Sequence, residues 1–246
     1  MRYLGLAVDF DGTLATDGRV PDATIDALVR LRASGRRLVM VTGRELPDLR
    51  ATFARLDVFD ALVVENGGLM YRPSSATQTP LAPGPLPGFL DALRARGVPV
   101  SVGAVIVATW EAHRVDVEEV IRDLGLDLDV ILNKGAVMVL PAGVNKGTGV
   151  ARAAAELSLP LGTIVGIGDA ENDHTLLRAC GVGVAVANAV ASLKEQADIV
   201  TRGARGEGVI EIVDRLLAND LAGVTPRPRE EIGVVPHEVD AHAPRG

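Results

Sequence analysis

One cysteine, Cys180, in 246 residues excludes an internal disulfide framework and fits a reducing compartment. Lysine is almost as scarce: only Lys134, Lys146 and Lys194 occur among the 25 basic residues, and the rest are arginine. In a chain that otherwise uses arginine, each lysine is a candidate for a place where a compact point charge is required. No apolar run reaches membrane-spanning length, and no basic segment followed by an apolar stretch opens the chain. The expectation is a soluble, cytoplasmic protein with no membrane partner. Positive charge is not in excess either. The net charge of −7 argues against a nucleic-acid binder. No internal repeat is visible. What is there is ordinary for a globular protein, 48% apolar and 23% charged, and long enough for one large domain or two small ones.

The most informative stretch is Leu4 to Leu14. An apolar run of strand character ends in two carboxylates, Asp9 and Asp11, followed by Gly12, where the chain can turn away. Positions i and i+2 of an extended strand share a face, so the two carboxylates are expected to converge at a strand end. Poorly solvated carboxylates so placed need a cation, a proton or a hydrogen-bond network, and Mg²⁺ is the simplest answer.

Periodicity predicts a helix over 20–34, a strand over 37–41 ending in Thr42-Gly43-Arg44, a helix over 47–56, and a strand over 61–64 ending in Glu65-Asn66-Gly67-Gly68. This alternation is the signature of a parallel α/β sheet, in which ligands bind beyond the carboxyl ends of the strands. Asp9, Asp11, Thr42 and Asn66 would then share one rim. Residues 73–87 hold five of the 14 prolines and read as a linker. A helix over 89–96, a strand-like run over 98–109, a helix over 115–124 and short strands over 130–132 and 137–140 suggest an inserted α+β unit over 83–143. The α/β pattern resumes with a helix over 148–157 and a strand over 163–167 ending in Gly168-Asp169-Ala170-Glu171-Asn172-Asp173. A helix to Ala179, a strand over 182–186, a helix over 191–197, a short strand over 199–200 and a helix over 208–217 follow. The expected class is α/β: a Rossmann-like parallel-sheet core over 1–82 and 144–218, with helices on both faces, plus the small inserted α+β domain. Residues 219–246 turn polar and proline-rich and read as a tail or linker.

Asp169 and Asp173, four apart at a strand end and in the first helical turn, can reach one metal ion at the rim that holds Asp9 and Asp11. Lys146 precedes a helix and can sit at the same rim, and the Thr42 hydroxyl and nearby amides add donors. Metal, ammonium, hydroxyl and amide donors around a nucleophilic carboxylate make a phosphoryl-binding arrangement.

The ordered set DFDGTL, VTGR, ENGG, NKG and GDAEND resembles the haloacid dehalogenase superfamily of phosphohydrolases over roughly residues 4–217. The insert resembles that superfamily's second-position cap, as in the Cof-like branch. Its compactness is closer to the caps of archaeal-type phosphoglycolate phosphatases and sucrose-phosphate phosphatases. The resemblance implies that Asp9 attacks phosphorus and that Asp11 serves as acid and then base, its backbone carbonyl also on the metal. Asp9, Asp11, Asp169 and Asp173 make the Mg²⁺ site. Thr42, Gly43, Arg44, Asn66, Lys146 and Asn172 make the substrate-binding set, with Lys146 also orienting Asp9, and Asn188 buttressing the site. The implied activity is Mg²⁺-dependent hydrolysis of a small phosphorylated metabolite, phosphoglycolate or a sugar phosphate, by a monomer or dimer.

Blander readings stand beside these. Arg44 equally suits a surface salt bridge, Asn66 a turn, and His174 a partly exposed helix position. Trp110, His113, Asn133 and Lys134 suit packing or solvent exposure in the insert better than substrate contact, and Cys180 suits the core. A phosphomutase would share the covalent intermediate. A phospho-accepting signalling domain also gathers carboxylates, Thr and Lys around Mg²⁺, but takes its phosphoryl group after the third strand, which here ends in Glu65-Asn66. The tail could also tether the domain to a partner.

Overall fold

A computed structural model of the chain describes residues 1–133 and 135–228. The chain opens with β1 (Gly5–Asp9), α1 (Asp22–Ala33), β2 (Arg37–Val41), α2 (Leu46–Thr52) and β3 (Ala61–Val64). Two antiparallel strands, β4 (Leu69–Arg72) and β5 (Thr77–Pro80), extend the same sheet. A second unit follows: α3 (Pro87–Ala95), β6 (Ser101–Val102), β7 (Val107–Trp110), α4 (Arg114–Asp123), β8 (Leu128–Asn133) and β9 (Ala136–Pro141). The chain then returns through α5 (Lys146–Glu156), β10 (Ile164–Gly168), α6 (His174–Ala179), β11 (Val182–Ala185), α7 (Ala191–Gln196), β12 (Ile199–Val200) and α8 (Arg205–Asn219).

The large sheet has the order β12-β11-β10-β1-β2-β3-β4-β5, with β12 through β3 all parallel. β1 and β10 are buried at every residue, as central parallel strands covered on both faces must be. From β1 the chain moves outward through β2 and β3, and later in the opposite direction through β10, β11 and β12. Right-handed crossovers running in opposite directions put helices on opposite faces. Accordingly α1 packs on α8, and α5 on α6. The order reverses between β1 and β10, and such a switch point opens a crevice beyond the carboxyl ends of the strands. Asp9 and Asp169 sit at those two ends.

The smaller sheet, β6-β7-β9-β8, is wholly antiparallel. Its strands alternate faces. Val137 and Val139 pack with Phe89, Leu93, Val117 and Val120 of α3 and α4, while Met138 and Leu140 join Ala82, Val105 and Ile106 on the other face.

Several boundaries differ from the sequence reading. The proline-rich 73–87 segment holds β5, which among the described residues is an edge strand hydrogen-bonded to β4 alone. An edge tolerates the Pro80 that disfavours a central strand. The run 98–109 divides into β6 and β7 around a turn closed by Gly103 N donating to Ile106 O at 2.9 Å. α2 stops at Thr52, followed by a single 3₁₀ turn at Leu56–Val58. α8 runs to Asn219, and Leu221 beyond it is fully buried in the main core, so the chain is still part of that core past residue 219. Residues 229–246 of the expected tail, and Lys134, lie outside the described residues. Among the described residues no helix is long and apolar enough to cross a membrane.

Candidate active site

Three carboxylates meet at the switch point. Oxygens of Asp9, Asp169 and Asp173 lie within 4.8 Å of one another, and all three residues are buried. Lys146 Nζ sits among them, donating to Asp9 Oδ1 and Asp173 Oδ1 at 2.6 Å each. The local chain dictates each placement. Asp9 ends β1. Asp173 closes a 3₁₀ turn, its Oδ2 accepting from the Asp169 and Ala170 amides at 2.9 and 3.0 Å, which folds the loop after β10 back on itself. Lys146 is the first residue of α5, held by a capping box. The Asn145 side chain accepts from the Gly147 and Thr148 amides, and Thr148 Oγ1 accepts from the Asn145 amide. That cap packs directly on the turn after β3. A Cβ at Gly67 (φ +110°) would lie 2.1 Å from Asn145 O, so only glycine fits there.

The electrostatics follow, among the described residues, from three carboxylates facing the Lys146 ammonium. Burial, opposed by Lys146 and reinforced by Asp173 and Asp169, pushes the Asp9 carboxyl up to about 8. Burial alone would lower the Lys146 ammonium, but Asp173 and Asp9 outweigh it and raise it well above the ordinary range. The lysine is therefore held charged while Asp9 is driven toward its neutral form. Three buried carboxylates are hard oxygen donors, and they fit a hard divalent cation.

The sequence reading puts four carboxylates around one ion, and the structure brings together three. β1 ends at Asp9, and Phe10 already belongs to a turn, its carbonyl accepting from the Leu14 and Ala15 amides. The i, i+2 rule needs an extended strand through Asp11, which is absent. The Asp11 carboxylate instead takes a bidentate pair from Arg44, Nε to Oδ2 at 2.7 Å and Nη2 to Oδ1 at 2.8 Å. Arg44 also binds Asp48 and lies over the Phe10 ring, 5.4 Å from its centroid. The Asp11 hydrogen bond outweighs the lowering effect of burial and raises the guanidinium further.

The remaining candidates sit around this centre. Thr42 is buried just past β2, its amide bonded to Val63 O. Gly43 lies under Met138 of the smaller sheet, whose Cε would be 3.0 Å from a Cβ built there. Asn66 adopts φ 53° and accepts from Asn172 Nδ2 at 3.0 Å. Among the described residues, Asn66 Nδ2, Asn172 Oδ1 and Asn133 Oδ1 are buried without a hydrogen-bond partner, the state in which a ligand commonly completes a site. Asn188 shapes the loop, bonding Gly12 O and the Arg205 amide. The partly buried His174 contacts Gln196 and Ser192, Trp110 is exposed, and Cys180 is core. Two residues escaped the sequence reading. Thr13 donates to Asp169 Oδ1 at 3.1 Å, signalled only by its place two residues after Asp11. Glu65 is buried and bonded to amides some 40 residues away, a pairing without a local sequence signal.

A haloacid dehalogenase-like hydrolase family profile matches residues 6–107 and 117–213. The phosphoglycolate phosphatase 2 of Saccharolobus solfataricus is 32% identical over 221 residues, covering 87% of this chain and 93% of that protein. The phosphoglycolate phosphatase of Natronomonas pharaonis is 33% identical over 228 residues, covering 87% and 98%. Among solved structures, a haloacid dehalogenase-like hydrolase from Bacteroides thetaiotaomicron superposes with a TM-score of 0.74 at 19% identity, covering 87% and 99%. The chain belongs to the haloacid dehalogenase-like hydrolase family.

Proposed function

We propose that the protein is a Mg²⁺-dependent phosphatase of a small phosphorylated metabolite, with 2-phosphoglycolate the first candidate and sugar phosphates the second, working through an aspartyl-phosphate on Asp9. The observation that carries this reading is the buried group of Asp9, Asp169 and Asp173 around Lys146 at the end of β1. Two relatives over 30% identical, both phosphoglycolate phosphatases, support the substrate.

In this reading Lys146 holds Asp9 Oδ1 and leaves Oδ2 to attack phosphorus. A dianionic ester approaching an anionic nucleophile is repelled, and the Lys146 ammonium with the N-terminus of α5 offsets part of that repulsion. Asp9, Asp169 and Asp173, with the Asp11 carbonyl as the family resemblance implies, would hold Mg²⁺, which would supply the remaining charge neutralisation. The Thr42 hydroxyl and the Gly43 amide receive phosphoryl oxygens, and the Asn66–Asn172 pair offers one unmet donor and one unmet acceptor to the substrate. Asp11 protonates the leaving oxygen as the ester P–O bond breaks. It then accepts a proton from the water that attacks the phosphoenzyme, and the P–O bond to Asp9 breaks to release phosphate. Asp11 has to leave Arg44 to reach the leaving oxygen, so the observed ion pair is its resting position. Residues 83–143, with their separate sheet, act as the cap that closes over the rim and excludes water while the intermediate exists.

The test is release of inorganic phosphate from 2-phosphoglycolate, a panel of sugar phosphates and p-nitrophenyl phosphate with Mg²⁺. Turnover abolished by Asp9→Asn is expected. No turnover of any ester across the panel defeats the reading.

A further inference from the structure

Glu65 is a buried carboxylate that the mechanism does not use. It lies in the turn after β3 with only 2% of its surface exposed. Its two oxygens accept from three consecutive backbone amides of the β6–β7 turn: Ala104 N to Oε1 at 3.0 Å, Val105 N to Oε2 at 2.8 Å and Ile106 N to Oε2 at 3.0 Å. Consecutive amides pointing at one anion form a nest, and charge-assisted bonds of this kind are the strong ones. The backbone that presents Glu65 is itself unusual. Glu65 and Asn66, neither of them glycine, both adopt φ 53°. Two successive side-chain-bearing residues in the left-handed region persist only where their surroundings over-determine them.

The same turn is stitched to the catalytic rim. Glu65 N donates to Arg44 O and Asn66 N to Thr42 O, both at 2.9 Å, while the Asn66 side chain holds Asn172. On the other side, the anchored β6–β7 turn leads into β7, which pairs with β9 in the register Ala108↔Met138. Met138 is the residue that lies against Gly43. One carboxylate therefore fixes where the smaller sheet sits relative to residues 42–44.

We propose that Glu65 is a positioning residue: its carboxylate seats the β6–β7 turn of the cap on the Thr42–Arg44 rim and so sets cap closure over the phosphoryl site. This rests on the phosphatase reading for its consequence in catalysis, but the seating itself is a structural matter that can be measured without turnover.

Two variants approach the contact from opposite sides. Glu65→Gln keeps the shape but turns an amide N–H₂ toward backbone donors. Gly103→Ala acts from the cap, where the backbone tolerates alanine, because its Cβ would lie 2.7 Å from Glu65 Oε2. Amide hydrogen exchange is followed residue by residue in the full chain, with turnover of 2-phosphoglycolate and p-nitrophenyl phosphate in parallel. In both variants exchange at Ala104, Val105 and Ile106 rises by about tenfold or more, while amides of β1 and β10 keep their wild-type rates. In Glu65→Ala/Gly103→Ala the alanine at 103 adds nothing to Glu65→Ala alone, since its obstacle is gone. The kcat/KM for 2-phosphoglycolate falls by about tenfold, chiefly in kcat. For p-nitrophenyl phosphate, whose leaving group needs no proton from Asp11, the fall is under about threefold. Wild-type exchange rates at 104–106 in the variants overturn the seating. Acceleration throughout the molecule, or equal losses on both substrates, also overturns the positioning role. An enzyme inactive on every ester would defeat the phosphatase reading, and the exchange rates alone would then decide the role of Glu65.

Discussion

Replacing Lys146 by Met removes the ammonium that, among the described residues, bridges Asp9 and Asp173 in a group of three buried carboxylates. The side chain is 1% exposed and 2.6 Å from both Asp9 and Asp173, so solvent cannot take its place. Removing one partner of a buried ion pair costs about 3–5 kcal/mol, chiefly from the charge left behind. In a chain of this size each kcal/mol moves Tm by about 2–4 °C, so a fall of about 6–20 °C follows. The fall depends on pH. Burial first, and then the Asp173 and Asp169 carboxylates, place the folded-state pKa of Asp9 at about 8, above its value in the unfolded chain. A group raised in this way stabilises fully below its unfolded pKa, and the contribution is lost as pH rises through the folded one. Metal-free wild type therefore loses stability as pH climbs from about 4 to about 8. In Lys146→Met the part of the penalty that comes from Asp9 is absent near pH 5, where Asp9 holds its proton, and grows above about pH 8, because loss of the ammonium raises Asp9 further. Thermal unfolding followed by circular dichroism, in chelator and then with Mg²⁺, measures both effects, and Mg²⁺ is expected to restore part of the loss at high pH. Equal falls at pH 5 and above pH 8, with no response to Mg²⁺, would refute the reasoning.

Two further substitutions separate fold from site. Arg36 is buried and bonds Tyr3 O, Leu216 O and Asp220, tying the start of β1 to the end of α8. Arg36→Ala is expected to cost about 2–3 kcal/mol in urea unfolding with KM unchanged. Gly67→Ala places a Cβ 2.1 Å from Asn145 O and strains φ +110°, displacing the cap of α5 and with it Lys146. Turnover is expected to fall by about 10²-fold, more steeply than thermal stability.

The sequence shows the large sheet clearly where apolar runs are short and bounded. β2 and β3 fall where Arg37–Val41 and Ala61–Val64 suggest, because Gly35 and Gly67 punctuate runs that are buried almost throughout. β5 escaped because Thr77–Pro80 is a polar edge strand whose partner supplies the order its own residues do not. Convergence of Asp9, Asp169 and Asp173 is legible, since Asp9 and Asp169 lie at the ends of predicted strands that parallel topology gathers at one rim, and Asp173 follows Asp169 by one helical turn. The position of Asp11 is not, because it depends on β1 ending two residues early and on Arg44 waiting across the gap. The clamp of Glu65 on residues 104–106 is invisible for a related reason: backbone amides carry no residue identity, so nothing in the sequence marks their partner.

The central claim is that Asp9 carries the phosphoryl group. Reacting the enzyme with substrate and Mg²⁺, quenching in acid and reducing with borohydride converts an aspartyl-phosphate to homoserine, which peptide mass spectrometry locates. Homoserine at position 9, absent without substrate, is the predicted result. Steady turnover with residue 9 recovered only as aspartate, or with homoserine at Asp11, Asp169 or Asp173 instead, would contradict it.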